Sequence, residues 1–262
     1  MRAGVVLVAA VLGVSACGST TKPGPLKVVP FVLGSKLLER PLHEVLVTPR
    51  GGGRGRPLLV FLHGFGATPG ETLSAAFVTA LSGLGKRAPV VLLPEGSDNS
   101  FWHDRAGEPW AQYVLREAIP AALERSGADP HRIAIGGISM GGFGALDIGR
   151  LAPRRFCAVG GHSPALYVAN PNDHLPDVFD GDADFSRHDL IRIARRGSPY
   201  RAPVWVDVGT RDRLRDADTA FARVLRTDGA RISFHVWPGS HDGPYWDAHF
   251  AQYLRFYADA CD

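Results

Sequence analysis

The chain predicts an α/β fold, a mainly parallel sheet with helices on both faces. Three observations carry this. Short apolar runs of strand length alternate with segments of helical periodicity, the pattern that lays crossover helices on a parallel sheet. One such run passes straight into a helix through the tight turn Gly137-Ile138-Ser139-Met140-Gly141. Of the 262 residues, about 245 remain beyond a short apolar N-terminal segment, which suits one domain.

The elements follow in order. Pro57-Leu58-Leu59-Val60-Phe61-Leu62 reads as the third strand, preceded by the loop Gly51-Gly52-Gly53-Arg54-Gly55-Arg56 between early strands. That loop lacks the Lys-Ser/Thr ending of a phosphate cradle. A helix is expected over 72–84 and a fourth strand over 89–94. Residues 110–125 are amphipathic, with Tyr113, Val114, Ile119, Ala122 and Leu123 able to face the sheet. Residues 131–136 form a short buried strand, and 142–148 begin a helix of small and apolar residues. Strands are expected at 203–209 and 231–237, and a closing helix at 245–257. Segments 95–109 and 170–187 lie past the carboxyl ends of strands, where they could rim a pocket.

Ser139 sits at the strand-to-helix turn. A serine in a strained backbone, flanked by residues too small to clash, has its Oγ raised above the sheet edge and the first helical turn aimed at a reacting carbonyl. An acid and a base then follow in the chain order of the α/β-hydrolase fold. Asp212 lies in the loop just past the strand Pro203–Gly209. Asp207 lies inside that strand and reads as a structural hydrogen-bonder. Asp216 and Asp218 read as first-turn residues of the next helix, where negative charge suits the dipole. His241 occupies the loop after the last strand and is the expected base. His235, in the strand, and His249, in the final helix, read as structural or surface histidines.

An oxyanion hole needs two backbone donors. One is the Met140 N–H. The other is the Phe65 N–H in His63-Gly64-Phe65-Gly66, directly after the third strand. His63 is expected to shape this loop and to border the substrate. Trp102 and Trp110 either stack a sugar or aryl group or pack the core. Trp246, four residues past Ser240-His241-Asp242, is a further candidate to touch substrate.

From about Pro57 onward the chain resembles the esterase D-like "putative esterase" family of α/β-hydrolases. The carrying residues are Gly136 to Leu146, Ala152 to Pro164, Asp207 to Asp212 and Gly239 to Trp246. That family includes S-formylglutathione hydrolases, feruloyl and acetyl-xylan esterases, and cell-wall mycolyltransferases. The resemblance implies Ser139, Asp212 and His241 as a triad and Phe65 and Met140 as oxyanion donors. It implies a serine-dependent carboxylic ester hydrolase without a cofactor, acting on a small-molecule or cell-envelope polysaccharide ester. An acyltransferase of the mycolyltransferase type, or a non-catalytic surface-anchored binding protein on the same fold, are the competing expectations.

The N-terminus speaks to location. Arg2 precedes the apolar run Gly4–Leu12, too short to span a bilayer, and Val14-Ser15-Ala16-Cys17 reads as a lipobox. The expected organisation is therefore a signal segment over 1–17 with lipidation at Cys17, a flexible tether over 18–30, and a hydrolase domain over 31–262. The protein is expected to be exported and held at the extracytoplasmic face of the membrane by its lipid.

Two cysteines remain, Cys157 and Cys261. They are a poor basis for a disulfide, and the sequence reading leans against one. The absence of Cys-x-x-Cys and His-Glu-x-x-His patterns argues against a metal. The net charge of +3, with no long basic run, gives no reason to expect nucleic-acid binding.

Overall fold

The computed structural model describes residues 26–175 and 177–262. The signal segment, Cys17 and most of the tether lie outside the described residues. An antiparallel pair opens the fold, β1 (Lys27–Ser35) and β2 (Arg40–Thr48). Residues 27–30, assigned to the tether by the sequence reading, are therefore strand, held in register against Val45–Thr48.

Then follow β3 (Leu58–Leu62), α1 (Ala75–Gly83), β4 (Val90–Leu93), the two-residue strands β5 (Asp104–Arg105) and β6 (Glu108–Pro109), α2 (Trp110–Tyr113) and α3 (Ile119–Ser126). The elbow region holds β7 (Ile133–Ile138), α4 (Met140–Leu151) and β8 (Ala158–His162). Short helices α5 (Asp182–His188) and α6 (Leu190–Ala194) lead to β9 (Val204–Gly209), α7 (Arg215–Thr227), β10 (Ile232–Trp237) and α8 (Gly243–Ala260).

The main sheet has eight strands in the order β1-β2-β4-β3-β7-β8-β9-β10. β2 is antiparallel to both β1 and β4, and the remaining neighbours are parallel. Alternation along each strand divides the core in two. Leu58, Val60 and Leu62 face one side with Val90, Leu92, Ile133, Ile135, Val204 and Val206, covered by α2, α3, α4 and α7. Leu59 and Phe61 face the other with Val91, Leu93, Ala134 and Trp205, covered by α1 and α8. Period-2 burial on both faces is what a sheet sandwiched between helices requires.

Two expected helices differ in detail. The first begins at Ala75, where Ser74 accepts from the Phe77 N–H; a short 3₁₀ turn, Pro69–Thr72, precedes it. The segment 110–125 is one helical run interrupted by a π turn at Val114–Ala118. Pro120 is the cause: its ring clashes with the carbonyl four residues back and it has no N–H to offer, so the preceding turn widens.

Cys157 and Cys261 form a disulfide, with Cα atoms 5.3 Å apart and a sequence separation of 104. This corrects the sequence reading. The C-terminal helix runs back along the sheet and returns its end to the start of β8, where the Cys261 carbonyl also accepts from Arg132. Nothing in the spacing of two cysteines foretells that return. Among the described residues, no helix is long and apolar enough to cross a membrane.

Candidate active site

Ser139 adopts φ 56° and ψ −116° between β7 and α4, a strained backbone for a residue with a Cβ. Its neighbours must be glycine. A Cβ on Gly137 would lie 2.4 Å from the Gly141 carbonyl oxygen, and one on Gly141 would lie 2.1 Å from that of Leu62. The Ser139 N–H donates to the His162 carbonyl at 3.0 Å, and the Ser139 carbonyl accepts from the Phe143 and Ala165 N–H groups. The elbow is thus pinned to β8 and to the loop beyond it.

His241 Nε2 lies 2.8 Å from Ser139 Oγ, and its Nδ1 lies 2.8 Å from Asp212 Oδ2. The three residues come from the carboxyl ends of β7, β9 and β10, as expected. Asp212 Oδ1 accepts from the Leu214 N–H at 2.8 Å, which fixes the carboxylate in its loop. Burial pushes the Asp212 carboxyl up; the hydrogen bonds from His241 and Leu214 and the His241 charge overcome this and hold it below its ordinary value.

Asp207 is fully buried and takes a different part. Its Oδ1 accepts from His162 Nδ1 and Trp205 Nε1, and its Oδ2 accepts from the hydroxyls of Tyr245 and Tyr253, all at 2.7–2.8 Å. The other nitrogen of His162 meets the Tyr257 hydroxyl at 2.9 Å. This network anchors α8 and the His241 loop to the sheet beneath the elbow. The Tyr257 ring reaches it only across glycines: a Cβ on Gly136 or on Gly160 would lie 1.9 Å from the Tyr257 hydroxyl. Asp207 was legible as a structural residue. His162, Tyr245, Tyr253 and Tyr257 were not assigned, because their chain separations conceal a shared carboxylate.

The loop after β3 is held from behind. His63 Nδ1 donates to the Gly64 carbonyl at 2.9 Å, and Nε2 accepts from the Gly96 N–H at 3.0 Å. Both contacts suit a neutral imidazole, and burial lowers the His63 pKa accordingly. Trp102 Nε1 donates to the His63 carbonyl at 3.2 Å. Trp102 and Trp110 are both fully buried, so neither stacks on a substrate. Trp102 supports the loop, and Trp110 packs between Trp102 and Tyr113 beneath the Arg40 guanidinium. Met140, whose N–H opens α4, and Phe65, 58% exposed, both line the cavity above Ser139.

That cavity holds about 390 Å³. His63, His241 and Trp246 border it, and Trp246 meets the His241 ring edge-on at 5.1 Å. Further walls come from Phe101, Tyr167, Leu175 and Arg213. Leu175 belongs to the segment 170–187 expected to rim the pocket. Arg213 and Tyr167 carried no sequence signal. His235 and His249 stand apart in a stack with Trp237.

Asp218 departs from expectation. It sits in the first turn of α7 but is fully buried, and neither oxygen has a hydrogen-bond partner among the described residues. Burial, and then the nearby charges of Asp212 and Asp207, push its pKa well above the ordinary carboxylate value. Tertiary packing, not the helix dipole, sets its state.

One cluster has donor atoms close enough to surround an ion: those of His103, Asp184 and His188 lie within 4.8 Å of one another. Asp184 accepts from His103, from the Asp180 N–H and from Arg187, while His188 meets Asp147, itself paired with Arg150. Most of these groups pair with one another, while His103 Nδ1 is buried without a hydrogen-bond partner among the described residues.

The residues 35–257 match the family model described as "Putative esterase". An acetyl esterase of Caldicellulosiruptor saccharolyticus is 24% identical over 233 residues, covering 78% of this chain and 84% of that one. Among solved structures, a ferulic acid esterase superposes with a TM-score of 0.77 at 22% identity, covering 90% of this chain and 98% of its own. An S-formylglutathione hydrolase from Agrobacterium tumefaciens gives 0.75 at 20% identity, with coverages of 90% and 95%.

Proposed function

The chain belongs to the "Putative esterase" family, and from that premise we propose that it is a serine-dependent carboxylic ester hydrolase acting through an acyl-enzyme on Ser139. The observation that carries the reading is the relay of Ser139 Oγ, His241 and Asp212 through two 2.8 Å contacts, with the serine at a strained elbow. His241 Nε2 takes the Oγ proton as Oγ adds to the ester carbonyl. The oxyanion forms against the Phe65 and Met140 N–H groups. Its collapse breaks the bond to the alcohol, which leaves with the proton from His241. Water then enters by the same route and releases the acid. Asp212 keeps the imidazole in the tautomer that accepts at Nε2 and stabilises the imidazolium.

Ser139→Ala should lower turnover of 4-nitrophenyl acetate by about 10⁵ to 10⁶, and a serine-directed phosphonate should label Ser139. Near-normal turnover in the variant, or labelling elsewhere, would sink the assignment. We also infer that the protein is exported and lipid-anchored at Cys17. The Cys157–Cys261 bond supports export, because structural disulfides persist in oxidising compartments.

A further inference from the structure

The cavity wall carries two donors that the reaction above does not use. Arg213 follows the triad acid directly and lines the cavity. Its guanidinium is exposed and makes no ion pair or hydrogen bond among the described residues. It is not there to orient the acid, since Asp212 is already held by His241 and the Leu214 N–H. The cavity's other charged wall residue, Glu71, is committed elsewhere, accepting from the Thr68 N–H and hydroxyl. Tyr167 lines the same cavity, and its hydroxyl is likewise without a hydrogen-bond partner among the described residues. Burial pushes the Tyr167 phenol up to about 12, and the Arg213 charge opposes the rise. Apolar side chains of the same lining include Phe101, Ala165 and Leu175.

A charged fork and a neutral hydroxyl, both unfilled and lining one cavity, match the donor pattern that binds a carboxylate. We propose that Arg213 and Tyr167 form an anion-recognition subsite, so that the preferred ester carries a carboxylate on its acyl or alcohol half. The inference rests on the esterase reading and names the substrate class of that site. Arg213 supplies a bidentate, charge-assisted contact, and the Tyr167 hydroxyl donates one further hydrogen bond. A neutral ester leaves both donors to water, so the discrimination arises from the difference between filled and unfilled donors.

The test uses two matched ester pairs with the mature protein. Mono-4-nitrophenyl adipate and 4-nitrophenyl heptanoate place the charge on the acyl half. 4-Acetoxybenzoate and its methyl ester place it on the alcohol half. In at least one pair, wild type should favour the anionic ester in kcat/KM. Arg213→Gln should lower that anionic-to-neutral ratio about tenfold or more, chiefly through KM, because a charge-assisted hydrogen bond is lost. Tyr167→Phe should lower it about threefold. Raising the salt to 0.5 M should also shrink the wild-type ratio, since the guanidinium is exposed. Loss of the ratio in only one pair assigns the carboxylate to that half of the ester. The same ratio in wild type and Arg213→Gln for both pairs overturns the subsite while leaving the esterase reading intact. Failure to hydrolyse any of the four esters overturns both.

Discussion

Removal of the disulfide should destabilise the protein strongly without changing its chemistry. The bond joins residues 104 apart, so reduction frees a loop of that length in the unfolded chain. Chain-entropy scaling gives about 4.7 kcal/mol at 25 °C for a loop of about 100 residues. A domain of this size shifts its Tm by about 2–4 °C per kcal/mol, so the expected loss is on the order of 10 °C or more. Cys157 N–H donates to the Ile133 carbonyl at the amino end of the sheet. Ser139, Asp212 and His241 stand at the carboxyl ends, so kcat at 25 °C should be nearly unaffected. The assay is calorimetry of oxidised protein, of protein reduced with dithiothreitol, and of Cys157→Ala/Cys261→Ala, with thiol titration to confirm each redox state. If fully reduced protein, titrating two thiols, melted within about 2 °C of the oxidised form, the loop-entropy argument would fail. A fall in kcat at 25 °C would refute the separation of staple from site.

Asp212→Asn should retain the fold but cost roughly 10⁴ in kcat, as the imidazole loses its orienting acceptor, whereas Asp207→Asn should act mainly on Tm; the reverse pattern in steady-state kinetics and melting would make Asp207 the acid. Glu44 is fully buried against Tyr113, and burial raises its carboxyl to about 8. A carboxyl raised in the folded state holds its proton there, so stability is greatest below about 4.5 and is lost as pH rises from there to about 8, on the order of 5 kcal/mol in all. Glu44→Gln should flatten that decline in a pH series of melting temperatures; an unchanged slope would show that Glu44 ionises without cost. If Cys17 is acylated, a clickable fatty acid should label the wild type and not Cys17→Ser, each buried CH₂ contributing about 0.8 kcal/mol to membrane retention; an unlabelled, released wild type would make Cys17 part of an ordinary cleaved signal.

The candidate site was legible because chain order and local geometry coincide there. Gly137 and Gly141 are dictated by contacts within a few residues of Ser139 and with the adjacent strand β3, so the turn announces itself. Asp212 and His241 were found because each follows a strand whose apolar run is plain. Trp102 and Trp110 were not decidable in the same way. An aromatic residue past a strand end can face solvent or core, and only the return of α4 and the oxyanion loop over Trp102 decides it.

The sequence by itself determined the strand-helix alternation, the placing of Ser139, Asp212 and His241 after successive strands, and the loop after β3 that lines the same cavity. These depend on local periodicity and on turns that admit only small residues. The tertiary structure decided the rest: the disulfide, the four donors gathered on Asp207, the buried state of Asp218, and the presence of Arg213 and Tyr167 in one cavity lining. Each depends on residues tens of positions apart meeting across packed layers. Such meetings carry no local signature, because the same side chain is stable exposed or buried according to what another element brings against it.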